Sequence, residues 1–259
     1  MPDHTEDANT FGWPRALAAV GLVAALYFVW RAVAPMHVVD RDVLKLVLWI
    51  GGPLLFVATR PSTALAGVGL RPPIFLALVP GAIAALVMAA ILLAYGMAPG
   101  MPSSDTILRR VLAAGLSEEI LFRGFLVTQL LLAGVRPRAA ILLSALSFGL
   151  AHAPNVWSSG DASTIAAEIA ITALGGAMFA IVMQLMSGSV TAAIALHAGM
   201  NLVWEIFAVS QDAVGGLSGL VARLAAIAAA IAVALVLRRR RAPMTANPPA
   251  KAKNRPPGS

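Results

Sequence analysis

ILRRVLAAGLSEEILFRGFLVTQLLLA, residues 107–133, is the stretch on which the fold turns. It is long enough to cross a bilayer, which takes roughly 20 apolar residues per helix. Yet Glu118 and Glu119 stand side by side at its middle, and Arg123 follows one helical turn later. Each such charge costs about 2.5–3.5 kcal/mol at the centre of an inserted helix. Three together persist only if they are paired, turned into the protein interior, or used. The stretch therefore predicts a membrane helix carrying a functional site.

The rest of the chain agrees. Hydrophobic residues make up 59% of the 259 and charged residues 12%, with a mean hydropathy of +0.83, more than a water-soluble domain needs for its core. Apolar runs broken by Pro, Gly and charge predict an all-α, polytopic membrane bundle of about eight transmembrane helices. They lie near Arg15–Ala34, Val43–Thr59, Pro73–Ala98, Thr106–Ala133, Arg138–Val156, Ser163–Met186, Ser189–Val209 and Leu217–Leu237. The runs are continuous and Ala/Leu-rich, without the alternation of lipid-facing strands, so a β-barrel is excluded.

The net charge of +7 is spread among short loops and the C-terminal end, which marks topology rather than nucleic-acid binding. Arg60, Arg71, Arg136, Arg138 and Arg238–Arg241 fall on one side of an eight-span chain, while Asp105, Asp161 and Asp212 fall on the other. Both termini are thus expected in the cytoplasm, with the protein in the plasma (inner) membrane and the bilayer as its partner. Ala32-Val33-Ala34 has the small-x-small form of a cleavage site. However, the preceding segment is acidic, so the first span is expected to be retained. The domain organisation expected is a cytoplasmic tail at 1–14, a transmembrane domain at 15–238 with its polar motifs within 113–201, and a basic, Pro-rich disordered tail at 239–259.

The chain has no cysteine, which removes thiol nucleophiles and thiolate ligands. HExxH and GxSxG are absent as well, and every Asp lies outside the expected spans. Hydrolytic chemistry would fall to Glu and His.

On a helix turning 100° per residue, Glu119 and Arg123 lie about 40° apart, with the acid N-terminal to the base as the better pairing order requires. Glu118 lies about 140° from Arg123. Glu119 is thus expected to be held by Arg123, while Glu118 projects elsewhere with its carboxylate uncommitted, as a candidate acid or base. The fifth span carries Phe148 and His152 four apart, followed by Pro154 and Asn155; the seventh carries His197 and Asn201 at the same spacing. The remaining histidines, His4 and His37, lie outside the spans. A carboxylate, two imidazoles and an amide converging in an apolar bundle make a working catalytic inventory.

Other polar residues read as structural. Glu168 and Glu205 are near span ends, where a carboxylate reaches the interface, although Glu205 lies one turn beyond Asn201. Lys45 and Trp49 read as interfacial anchors. Ala145, Gly149, Gly175 and Gly176 suit close helix packing.

Glu118-Glu119-x-x-x-Arg123, Phe148-x-x-x-His152 and His197-x-x-x-Asn201, in that order on separate apolar helices, resemble the three motifs of the CPBP family. These are the CAAX-prenyl-endopeptidase and bacteriocin-processing membrane proteases, Abi-like proteins among them. The resemblance spans about Ala113 to Asn201, and the eight-span count is similar too. It implies a glutamate-type intramembrane endopeptidase in which Glu118 and His152 activate water and His197 and Asn201 stabilise the oxyanion, with Glu119, Arg123 and Phe148 in support. The implied partner is a peptide or protein substrate presented at the membrane, such as a prenylated C-terminus, a peptide precursor or a sorting signal; no cofactor is implied. Two alternatives use the same residues. One is a zinc-dependent form of the protease, since two His and one Glu form some catalytic zinc sites. The other is a proton- or cation-coupled transporter relay through Glu118, His152 and His197. An inactive scaffold is a third reading.

Overall fold

The computed structural model describes residues 12–33, 41–58, 65–72, 74–153, 162–209 and 216–241. Residues 1–11 and 242–259, which hold His4 and most of both tails, and His37, Arg60, Pro154, Asn155, Asp161 and Asp212 lie outside the described residues. Those described form an all-α membrane bundle with no strand among them. Apart from a single turn at 65–67, they make eight helical stretches: α1 (Trp13–Val33), α2 (41–57), α3 (Ile74–Ala94), α4 (104–132), α5 (Pro137–His152), α6 (Ala162–Leu185), α7 (Val190–Ile206) and α8 (Gly216–Arg241). Each overlaps one expected apolar run. α1, α3, α6 and α8 are long and apolar enough to cross a bilayer, and α7 is a shorter apolar helix.

α4 is the hub. Every residue from Ser117 to Leu130 is buried, and a helix covered on all sides belongs at the centre of its bundle. α1, α2, α5 and α7 pack around it, and α6 reaches it beside α5. The peripheral helices instead present large apolar side chains outward, among them Leu17, Phe28, Leu55, Phe75 and Leu86. In water such a belt would be a liability; here it is the surface that meets lipid.

Helices without a hydrophobic drive to associate need close approach, which small residues permit. The buried side of α8 is Gly219, Ala222, Ala226, Ala230 and Ala234, and it lies along α3. α3 also carries Gly81, where a Cβ would run into the α7 backbone at Ala195 and Leu196. Gly149 on α5 meets Ile169 and Ala173 of α6 in the same way. This supports a packing role for Gly149, whereas Gly175 has open space around it.

Three segments have wide π turns: Val47–Gly51 in α2, and Ile107–Ala113 and Glu119–Val127 in α4. π turns are rare and concentrate at functional sites. Here one begins at Glu119, immediately after Glu118. α8 runs to Arg241, three residues past the expected domain end. Its terminal arginines complement the helix C-terminal dipole.

Gly81→Val is expected to lower stability by about 1–3 kcal/mol through overpacking. Gly21→Ala, at a position with nothing within 4 Å, is expected to cost nothing. Thermal unfolding of the two variants in detergent micelles checks the difference.

Candidate active site

α4 carries both carboxylates into the bundle centre, where His197 is the neighbour they share. Glu119 and Arg123 are wholly buried. Arg123 Nη1 donates to Glu119 Oε1 at 2.9 Å, the pairing expected from their spacing. Arg123 Nε also donates to the Gly176 carbonyl at 3.4 Å, and the guanidinium lies 3.9 Å from the Phe148 ring centroid. Gly176 leaves room for it, since a Cβ would come within 2.5 Å of Arg123 Nη2. The same Glu119 oxygen is 2.7 Å from His197 Nδ1. With Glu119 held as a carboxylate by Arg123, Nδ1–H is the donor in that bond.

Glu118 is not uncommitted, as its angle to Arg123 suggested. Its Oε1 is 2.5 Å from Lys45 Nζ on α2. Its other oxygen, Oε2, is 3.9 Å from His152 Nε2 and 3.9 Å from His197 Nε2. The His152 Nδ1 is 2.8 Å from the Phe148 carbonyl. A carbonyl only accepts, so Nδ1 carries the proton and the Nε2 of neutral His152 turns a lone pair toward Glu118. Phe148 thus makes three contacts with two neighbours: its carbonyl sets the His152 tautomer, its ring lies 4.4 Å from that imidazole, and its face receives Arg123.

The reading of Lys45 and Trp49 as interfacial anchors is corrected. Trp49 is 2% exposed and packs on Phe122 of α4 and Trp30 of α1. The Lys45 side chain is 14% exposed, with Nζ 4.6 Å from the Trp49 ring centroid. A buried carboxylate draws an ammonium to itself more strongly than an interface draws a lysine outward. The available signal was a lysine at the head of an apolar run.

Asn201 lines the same cavity as Glu118, His152 and His197, a space of about 440 Å³. One amide hydrogen is engaged, since Asn201 Nδ2 donates to the Arg110 carbonyl at 2.9 Å. Glu168, read as interfacial, lines this cavity, whereas Glu205 lies 3.4 Å from Arg110 Nη1. Arg223 of α8, which the sequence reading passed over, also lines the cavity and stacks 3.7 Å from the Trp204 ring centroid. Met178, Leu220, Leu224 and Ile227 supply apolar wall. The result is a greasy chamber with a carboxylate, two imidazoles and an amide at one end. Among the described residues, no group of three His, Cys, Asp or Glu is arranged to hold a metal ion.

Arg123→Met strands a buried carboxylate and is expected to cost about 3–5 kcal/mol. Adding Glu119→Gln should recover part of that loss, because it removes the orphaned charge. Thermal unfolding of the single and double variants in micelles measures the coupling.

Searches among curated proteins and among solved structures return no match. A family model described as "Type II CAAX prenyl endopeptidase Rce1-like" matches residues 104–203. That segment runs from the start of α4 through most of α7, and it contains Glu118, Glu119, Arg123, Phe148, His152, His197 and Asn201. Residues 104–203 are thus similar to the Rce1-like type II CAAX prenyl endopeptidases, in agreement with the resemblance carried by the three motifs.

Proposed function

We propose that this chain is an intramembrane endopeptidase that hydrolyses a peptide bond of a membrane-associated or lipid-anchored substrate without a metal ion. We place it in the plasma membrane with both termini cytoplasmic. The observation that carries the reading is Glu118 Oε2 facing the Nε2 atoms of His152 and His197, each at 3.9 Å, at the polar end of an apolar cavity. That distance is too long for a direct hydrogen bond and suits a bridging water.

In this mechanism a water sits between Glu118 Oε2 and His152 Nε2, both of which accept. One takes its proton as the oxygen attacks the peptide carbonyl carbon, and the same proton is later delivered to the departing amine. The developing oxyanion takes hydrogen bonds from His197 and from the second amide hydrogen of Asn201. Since Nδ1–H of His197 is directed at Glu119, Nε2 donates only from the imidazolium. Glu119 stands ready as the counter-charge to that state, so the Glu119 carboxylate supports His197 as well as Arg123. The apolar wall accommodates a lipid anchor or an apolar peptide segment, in keeping with a family whose substrates are described as prenylated. We favour the metal-free form because no two of these residues have the i, i+4 His spacing that preassembles helix-borne zinc sites.

Purified protein in micelles is expected to cleave an internally quenched, farnesylated peptide ending in a CAAX sequence. Glu118→Gln and His152→Ala should each lower kcat by about 10²–10⁴-fold in samples shown to be folded by their unfolding transitions. Full cleavage by Glu118→Gln would overturn the assignment. Activity should also survive chelation by EDTA and 1,10-phenanthroline; loss that zinc reverses would establish the metal-dependent form instead.

A further inference from the structure

The protease reading leaves Lys45 without a task, although it makes the shortest contact at the site. It comes from α2, outside the segment that matches the family model. Its ammonium lies 4.6 Å from the Trp49 ring centroid and 5.7 Å from that of Trp30, so two indoles orient it by their π faces. Glu118 is left with two unlike oxygens: Oε1 is tied to Lys45, and Oε2 faces both imidazoles.

We infer that Lys45 is a positioning residue for the hydrolytic reaction, holding one Glu118 oxygen so that the other stays ionised and aimed between His152 and His197. The inference rests on the protease reading and deepens it. An isolated carboxylate in an apolar bundle would take up a proton or turn toward any donor within reach. In either state Glu118 loses its place as acceptor for the attacking water. The two tryptophans that flank Lys45 belong to the same device, since Trp49 packs on Phe122 of α4 and Trp30 of α1 packs on Trp49, which fixes α2 relative to both helices. Lys45 does not touch the apolar cavity. It lines a polar cavity with Arg41, Asp42, Arg109 and Arg110.

The absence of cysteine permits a test that separates charge from bulk. Lys45→Cys in the full-length chain can be alkylated through the polar cavity with 2-bromoethylamine, which rebuilds a side chain of lysine length with its ammonium. Propyl methanethiosulfonate gives an uncharged adduct of similar reach. The assay is cleavage of the farnesylated CAAX peptide, with wild type and Glu118→Gln run in parallel and unfolding temperatures recorded for all. Lys45→Met and untreated Lys45→Cys are expected to lose roughly 100-fold in kcat, the scale of a misplaced catalytic group, with KM changed by less than about twofold. Aminoethylation should restore most of the loss and propylation none.

Wild-type kcat in Lys45→Met, or equal rescue by both adducts, overturns the positioning role while leaving the protease standing. A change confined to KM overturns it too. If Lys45→Met does not fold, the alkylated Lys45→Cys samples decide. A wild-type protein that leaves the peptide intact, or Glu118→Gln that cleaves it normally, removes the protease reading and the role of Lys45 together.

Discussion

The structure is organised around charge that cannot reach water. α4 takes two carboxylates and a guanidinium into a place where an unpaired ion is costly, and the packing around it supplies their partners. Arg123 and His197 answer Glu119; Lys45 answers Glu118. The supporting residues follow from those contacts. Gly176 makes room for the guanidinium, Phe148 receives its face, and Trp30 and Trp49 hold the ammonium. A bundle that merely buried leucines would tolerate many helix rotations, but one that must close these pairs tolerates few.

The arrangement also divides labour between neighbours in sequence. Glu118 and Glu119 are chemically identical and adjacent, yet one lines the cavity and the other is sealed beneath it. The change from α to π turns falls between them. Wider turns alter the direction in which successive side chains leave the helix; both carboxylates meet His197 of α7, but only Glu118 reaches α2 and His152 of α5.

What was legible in the sequence follows from the range of the interaction. Glu119 and Arg123 are four apart, so helix geometry alone pairs them. The eight apolar runs are likewise local and overlap the eight helical stretches. The motif residues Glu118, His152, His197 and Asn201 line one cavity, as their common chemistry suggested. Lys45 was missed because its partner is 73 residues away, and no periodicity within α2 points to it. Arg223 was lost in an Ala-rich run, since stacking on Trp204 is a contact between helices. The wide turns were invisible for another reason: a constant 100° step assumes them away.

The burial of α4 on every side from Ser117 to Leu130 bears on how the protein is made. A helix with these charges is a poor candidate for release into lipid by itself, so its neighbours must gather as it enters the membrane. Synthesis runs from the N-terminus, and α2 precedes α4. Lys45 is therefore already present to receive Glu118, and Arg123 arrives with Glu119 on the same helix. His197 and Gly176 arrive only with α7 and α6. The nascent protein can thus settle its charges before its catalytic centre exists, and the last helices complete a site whose most expensive residues are already housed.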